Sequence, residues 1–165
     1  MSRHRWSPAQ LAWFLAVTRG SRLEGAWQLS ALGGLRTCEL LALCWGDVDL
    51  DAQCITVHHA CLGVPYSAIV APPQYDRERV IPLDPELGAV LRAHWERQQA
   101  DRSEWSAHCG VHDLVVCQKN GRPLHPRALS RAFAWAVDEA GLPHVGLSAL
   151  RLAGRALSTA GGPVA

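Results

Sequence analysis

The sequence predicts an α+β domain, mainly helical, with a small three-stranded antiparallel sheet near its middle. Three observations predict it. Apolar residues recur at helical spacing before Trp45 and again after Asp84. Between Asp51 and Leu83 the pattern changes to short extended runs separated by Gly63, Pro65 and Pro72-Pro73. Proline-led caps and glycine stops punctuate the helical stretches on both sides.

Ser7-Pro8-Ala9-Gln10 opens the first helix, with Ser as cap, Pro at the first helical position and Gln closing a capping box. Leu11, Trp13, Phe14, Leu15 and Val17 supply its apolar face as far as Arg19-Gly20. A second helix is expected from Arg22 to Leu32, stopped by Gly33-Gly34, and a third from Leu35 to Leu43. The three strands are expected at Ile55 to Val57, Ala68 to Val70, and Val80-Ile81. Asp84-Pro85-Glu86 starts a helix in which Leu87, Val90, Leu91 and Trp95 follow at helical spacing toward Gln99. Leu114 to Cys117 reads as a short extended run ending in the turn Lys119-Asn120-Gly121. A helix from Pro126 to Gly141 and a last one from Ser148 to about Thr159 complete the pattern. Tryptophans such as Trp13, Trp27, Trp95 and Trp135 fit core positions of these helices, where a large ring fills an apolar face.

With 165 residues, 48% of them hydrophobic, the chain is long enough for one domain with its own core. No apolar run reaches bilayer length and the N-terminus has no signal-peptide pattern, so a cytoplasmic protein without membrane contact is expected. The six cysteines are expected to stay reduced. A net charge of +1 does not announce a nucleic-acid binder. Its distribution is more informative. Residues 1 to 36 carry five Arg against one acid, residues 37 to 120 carry six bases against twelve acids, and the remainder carries five Arg against two acids. Fifteen of the sixteen basic residues are Arg, whose planar fork suits bidentate phosphate contact; a GC-rich genome would give the same bias.

Two local motifs carry a resemblance that covers nearly the whole chain. Gly34-Leu35-Arg36-Thr37-Cys38-Glu39-Leu40, continuing through Trp45-Gly46-Asp47-Val48-Asp49, is similar to the first arginine box of the tyrosine recombinase (phage integrase) catalytic domain. Asn120-Gly121-Arg122-Pro123-Leu124-His125-Pro126 resembles the turn and helix start before that family's second box. The resemblance implies an integrase-like fold over residues 6–160, without the family's N-terminal core-binding domain and without its final helices. It implies that Arg36 and Arg151 clamp the scissile phosphate, with Glu39 one turn beyond Arg36 able to hold its guanidinium. Ser148-Ala149-Leu150-Arg151 occupies the second box, so Ser148 stands where the family has His; Ser donates a hydrogen bond but is no proton shuttle near neutral pH. Gln74 stands at the position of the family's general-acid Lys, and Gln has no proton to release. Arg77 and Arg79 are poor replacements for that acid. The family's nucleophilic Tyr is absent, because Tyr66 and Tyr75 both fall in the expected sheet.

The function this implies is membership of a site-specific DNA recombination and integration family, in a chain that binds the phosphate backbone of double-stranded DNA weakly and without sequence preference, and does not cleave or rejoin it. No cofactor or metal is implied. An intact recombinase or a second copy of the chain is a further candidate partner. Other classes stay open at this stage. Cys54, His58, His59 and Cys61, and His108, Cys109 and His112, have loose metal-ligand spacing with no Cys-x-x-Cys. A helical interaction module without a DNA role fits the near-neutral charge, and a decaying integrase remnant fits the joint loss of Lys, His and Tyr.

Overall fold

The structure, a computed structural model, describes residues 5–58, 60–62, 69–71, 78–102 and 113–160. In chain order its elements are α1 (Pro8–Val17), α2 (Glu24–Ala31), α3 (Thr37–Ala42), a 3-10 turn (Trp45–Asp47), β1 (Val48–Asp49), β2 (Cys54–Val57), β3 (Ala60–Leu62), β4 (Ile69–Ala71), β5 (Arg79–Pro82), α4 (Pro85–Arg102), α5 (Pro126–Glu139) and α6 (Leu147–Ala160). They fall into two compact units, one from Met1–Thr37 with Arg127–Ala165 and the other from Cys38–Pro126.

In the first unit α1 begins as its sequence predicts. The Gln10 amide donates to Ser7 Oγ at 3.2 Å and the Ser7 amide donates to Gln10 Oε1 at 2.9 Å, so two free donors of the first turn are satisfied reciprocally. Trp6, Phe14, Trp27 and Phe133 form one aromatic cluster, with centroid separations from 5.1 Å for Trp6–Phe14 to 6.2 Å for Phe14–Trp27. Such tilted and edge-on pairs add to the burial of their rings. All eight residues of α2 are buried, which makes it the unit's central helix rather than a half-wet surface helix. Its polar members need partners, and Glu24 Oε2 accepts the Gly20 amide at 2.8 Å. Helix α6 crosses α2 closely. A Cβ on Gly154 would fall inside the carbonyl group of Ala31, so only glycine lets the two backbones meet there. Helix α5 stops at Gly141, whose φ of +65° suits glycine, just before Pro143.

In the second unit β1, β2 and β5 form an antiparallel sheet in the order β1-β2-β5, registered by Val48↔Ile55 and Ile55↔Ile81. The three-stranded sheet is therefore present, with one membership corrected. Residues 69–71 pair instead with β3, Cys61 opposite Val70, in a separate two-stranded ladder, and Val48–Asp49 supplies the third strand. Asp84 caps α4 by accepting the Leu87 amide at 2.8 Å. Leu87, Leu91, His94 and Gln98 line the buried face of that helix at spacings of four, three and four residues. Gln98 ties three segments together: Trp45 Nε1 donates to its Oε1 at 2.7 Å, while its Nε2 donates to the carbonyls of Leu114 (3.2 Å) and Val115 (2.9 Å). The extended run at Leu114 is real but minimal, a single bridge to Cys44, with a second from Cys117 to Pro123.

Two expected core residues lie at the surface. Trp27 is buried, but Trp13 is 55% and Trp135 64% exposed. Trp13 keeps its indole N–H bonded to the Ala140 carbonyl at 2.9 Å, as an amphipathic ring does when one edge stays wet. Helices α2 and α3 are also shorter at both ends than expected, because the flanking residues form turns and caps. Cys38, Cys44, Cys54 and Cys117 are free thiols. Among the described residues no helix is long and apolar enough to cross a membrane.

Candidate functional site

Arg36 is presented by a backbone that leaves α2 under tight constraint. A Cβ on Gly33 would come within 2.7 Å of the Leu29 carbonyl oxygen, and Gly34 sits at φ +67°, so the glycine pair that stopped the helix in sequence is also sterically required. The Leu35 amide then donates back to the Leu29 carbonyl at 3.3 Å, and the Leu35 side chain is buried. With Leu35 anchored, Arg36 is exposed, immediately before α3.

Arg151 is carried by α6 and is half-buried. Leu150 beside it is fully buried and Ala153 nearly so, which fixes the helix rotation. Ser148 lies three residues earlier, on the same side of the helix as Arg151, and is exposed. Gly154 lies three residues later, at the crossing with Ala31. Arg36 follows Ala31 by five residues. Arg36, Ser148 and Arg151 thus belong to one unit and hang from the same close α2–α6 crossing. Gln74 lies outside the described residues, as do Tyr66 and Tyr75.

Glu39, read in the sequence as able to hold Arg36, also binds a guanidinium that the motif did not point to. Its buried carboxylate accepts Arg79 Nη1 at 2.6 Å and Nη2 at 2.8 Å, a bidentate pair that locks α3 to β5. Arg79 is thereby a buttress of the sheet. Spacing could not reveal it, because the partners are forty residues apart in sequence. Close by, the Asp47 carboxylate accepts the Cys44 amide at 3.1 Å. Burial first, and the Asp47 charge second, push the Cys44 thiol up from its ordinary value.

Among the described residues no group of three His, Cys, Asp or Glu side chains is placed to hold a metal ion. His58 instead faces carboxylates, 3.2 Å from Glu78 and 3.7 Å from Asp47. His59, the Cys61 side chain, His108, Cys109 and His112 lie outside the described residues.

The model of the phage integrase family matches residues 10–165. Tyrosine recombinase XerC of Xanthomonas campestris pv. campestris (strain B100) is 28% identical over an alignment of 129 residues, and the match covers 70% of this chain and 35% of XerC. The same protein from strain 8004 gives the same figures. The chain therefore spans about a third of the length of the curated relatives it matches. Among solved structures, the Tn1549 transposon integrase in complex with transposon right end DNA is similar with a TM-score of 0.79 and 20% identity, over 99% of this chain and 55% of that one. XerA recombinase gives 0.77 and 17%, over 97% and 51%. The lambda integrase catalytic core gives 0.64 and 18%, over 96% and 88%. The fold is that of an integrase catalytic core, and with the family model matched along nearly its whole length, the chain belongs to the phage integrase family.

Proposed function

We propose that this chain grips the DNA phosphate backbone through Arg36 and Arg151, as a tyrosine recombinase catalytic-domain segment that does not itself cut or rejoin strands. The observation that carries the reading is the glycine-only crossing of α2 and α6, which holds both arginine-bearing segments in one unit. Two guanidinium forks can share one phosphate, each donating paired N–H groups to its oxygens. Ser148 adds one hydroxyl donor to the Arg151 side of such a site.

Turnover asks for more than a clamp. A general acid must protonate the leaving oxygen, and on the motif reading Gln74 and Ser148 take the positions of the family's Lys and His, where neither can serve as that acid. A nucleophile must form the covalent intermediate, and neither Tyr66 nor Tyr75 matches that position. Binding carried by phosphate contacts alone is sequence-tolerant and falls steeply with salt.

The test is a salt-titrated binding assay on labelled duplex, run beside a suicide-substrate assay for covalent adduct. The expected outcome is binding without adduct, with Arg36→Ala and Arg151→Ala each lowering the log–log salt slope by about one. Unchanged binding by the double variant would overturn the clamp, and a covalent adduct would overturn the claim that the chain does not cut.

A further inference from the structure

Helix α5 carries a surface feature that neither the core nor the phosphate site uses. Arg131, Trp135 and Glu139 follow one another at intervals of four residues, so they form one ridge along the helix. All three are exposed, Trp135 to 64%. Beside the ridge runs a row of small residues, Ala128, Ala132 and Ala136, also spaced by four. Between α5 and the corner joining α1 to α2 lies a groove of about 230 Å³, lined by Val17, Leu23 and Trp27 on one side and by Ala132, Trp135 and Glu139 of α5 on the other. Clefts for drug-sized ligands run to about 300–1,000 Å³, so this one suits a single large side chain. Val17 on its rim is itself 40% exposed.

The charges say which chain fits. The ridge is cationic one turn before Trp135 and anionic one turn after it. Turned end for end about Trp135, the same ridge presents Glu139 where Arg131 stood and Arg131 where Glu139 stood. A surface with that property is complementary to itself under a two-fold axis, the symmetry in which residue i meets j and j meets i. Ridges four residues apart packed into grooves of the same spacing are also the commonest helix–helix contact.

We propose that this face of α5 binds a second copy of the chain. The two α5 helices cross antiparallel at Trp135, each Trp135 ring enters the groove beside the partner's α5, and Arg131 meets the partner's Glu139 on both sides of the axis. The inference stands apart from the DNA reading, since none of these residues belongs to the phosphate site.

The test is sedimentation of the full chain at micromolar concentration in low salt, where exposed ion pairs are least screened. The wild-type chain is expected to dimerise, and Trp135→Ser to weaken the dimer by about tenfold or more, as loss of a central aromatic anchor does. Arg131→Glu alone and Glu139→Arg alone each set like charges face to face and weaken self-association. Mixed together they restore every pairing, so the mixture forms a heterodimer although neither variant pairs well with itself. A wild-type chain that stays monomeric overturns the proposal. So does a dimer indifferent to Trp135→Ser, or a mixture that associates no better than its components.

Discussion

Replacing Gly154 with alanine tests directly the helix crossing on which the proposed phosphate clamp rests. The added methyl would sit inside the Ala31 carbonyl and 3.1 Å from the Ala31 Cα, atoms that belong to backbone and cannot rotate away. Restoring an ordinary carbon–carbon separation of about 3.5–4.0 Å forces α6 to retreat. Leu147, Leu150 and Ala153, all buried on that helix, then lose part of their contact. Overpacking costs about 1–3 kcal/mol, and a rigid obstacle places this site toward the upper end. Alanine gains back about 1 kcal/mol over glycine inside a helix. The net loss is about 1–2 kcal/mol, which for a chain of 165 residues lowers the melting temperature by about 2–8 °C. Gly88→Ala is the matched control, because Gly88 lies within α4 with nothing near its missing Cβ and is expected to gain about 0.5–1 kcal/mol. Thermal unfolding followed by circular dichroism reads both. A Gly154→Ala chain that melts at or above the wild type refutes the close crossing.

Other perturbations have equally definite outcomes. Arg79→Ala strips two hydrogen bonds from the buried Glu39 carboxylate and is expected to cost about 2–3 kcal/mol in urea unfolding, low for a broken buried pair because Arg79 is about one-third exposed. Gln98→Ala leaves the Trp45 indole and the Leu114 carbonyl short of a partner, while the Val115 carbonyl keeps its contact with His94 Nε2 at 2.7 Å; a loss of about 2–3 kcal/mol is expected by the same assay. Iodoacetamide should label exposed Cys38 before Cys44, which needs a higher pH than an ordinary thiol, and Asp47→Asn should move the Cys44 alkylation profile back toward neutral pH. Because the Cys44 value is raised by folding, its stabilising contribution is full below the unfolded thiol's value and is lost as pH rises through the folded one; urea midpoints across that window check the sign.

Local chemistry was the legible part of this sequence. Ser7, Asp84 and Gly141 announce helix ends because caps and left-handed stops act within four residues, and the structure places all three as read. Strand partners are a long-range choice. Val48–Asp49 is only two residues long, too short to show alternation, yet it takes the place in the sheet that Ala68 to Val70 were expected to fill. The tryptophans misled for a related reason. Ring size argues for the core, but Trp135 shares its row with Arg131 and Glu139, and that spacing marks a wet face. Motif order pointed to Arg36 and Arg151 as the proposed clamp, whereas the bidentate pairing of Glu39 with Arg79 depends on tertiary packing alone.

The α2–α6 crossing also fixes an order of events during synthesis. Helix α2 is buried on every side, yet Gly154 is joined to the chain 123 residues after Ala31. At ribosomal speeds of about 5–20 residues per second, the earlier helix waits on the order of ten seconds for the later one. Through that interval the whole Cys38–Pro126 segment emerges and can settle, while the segment before it holds an apolar helix without its mate. Contacts so distant in sequence form late and slowly. The nascent chain is therefore exposed to aggregation and to chaperone capture around α2, and this vulnerability lasts until α6 arrives.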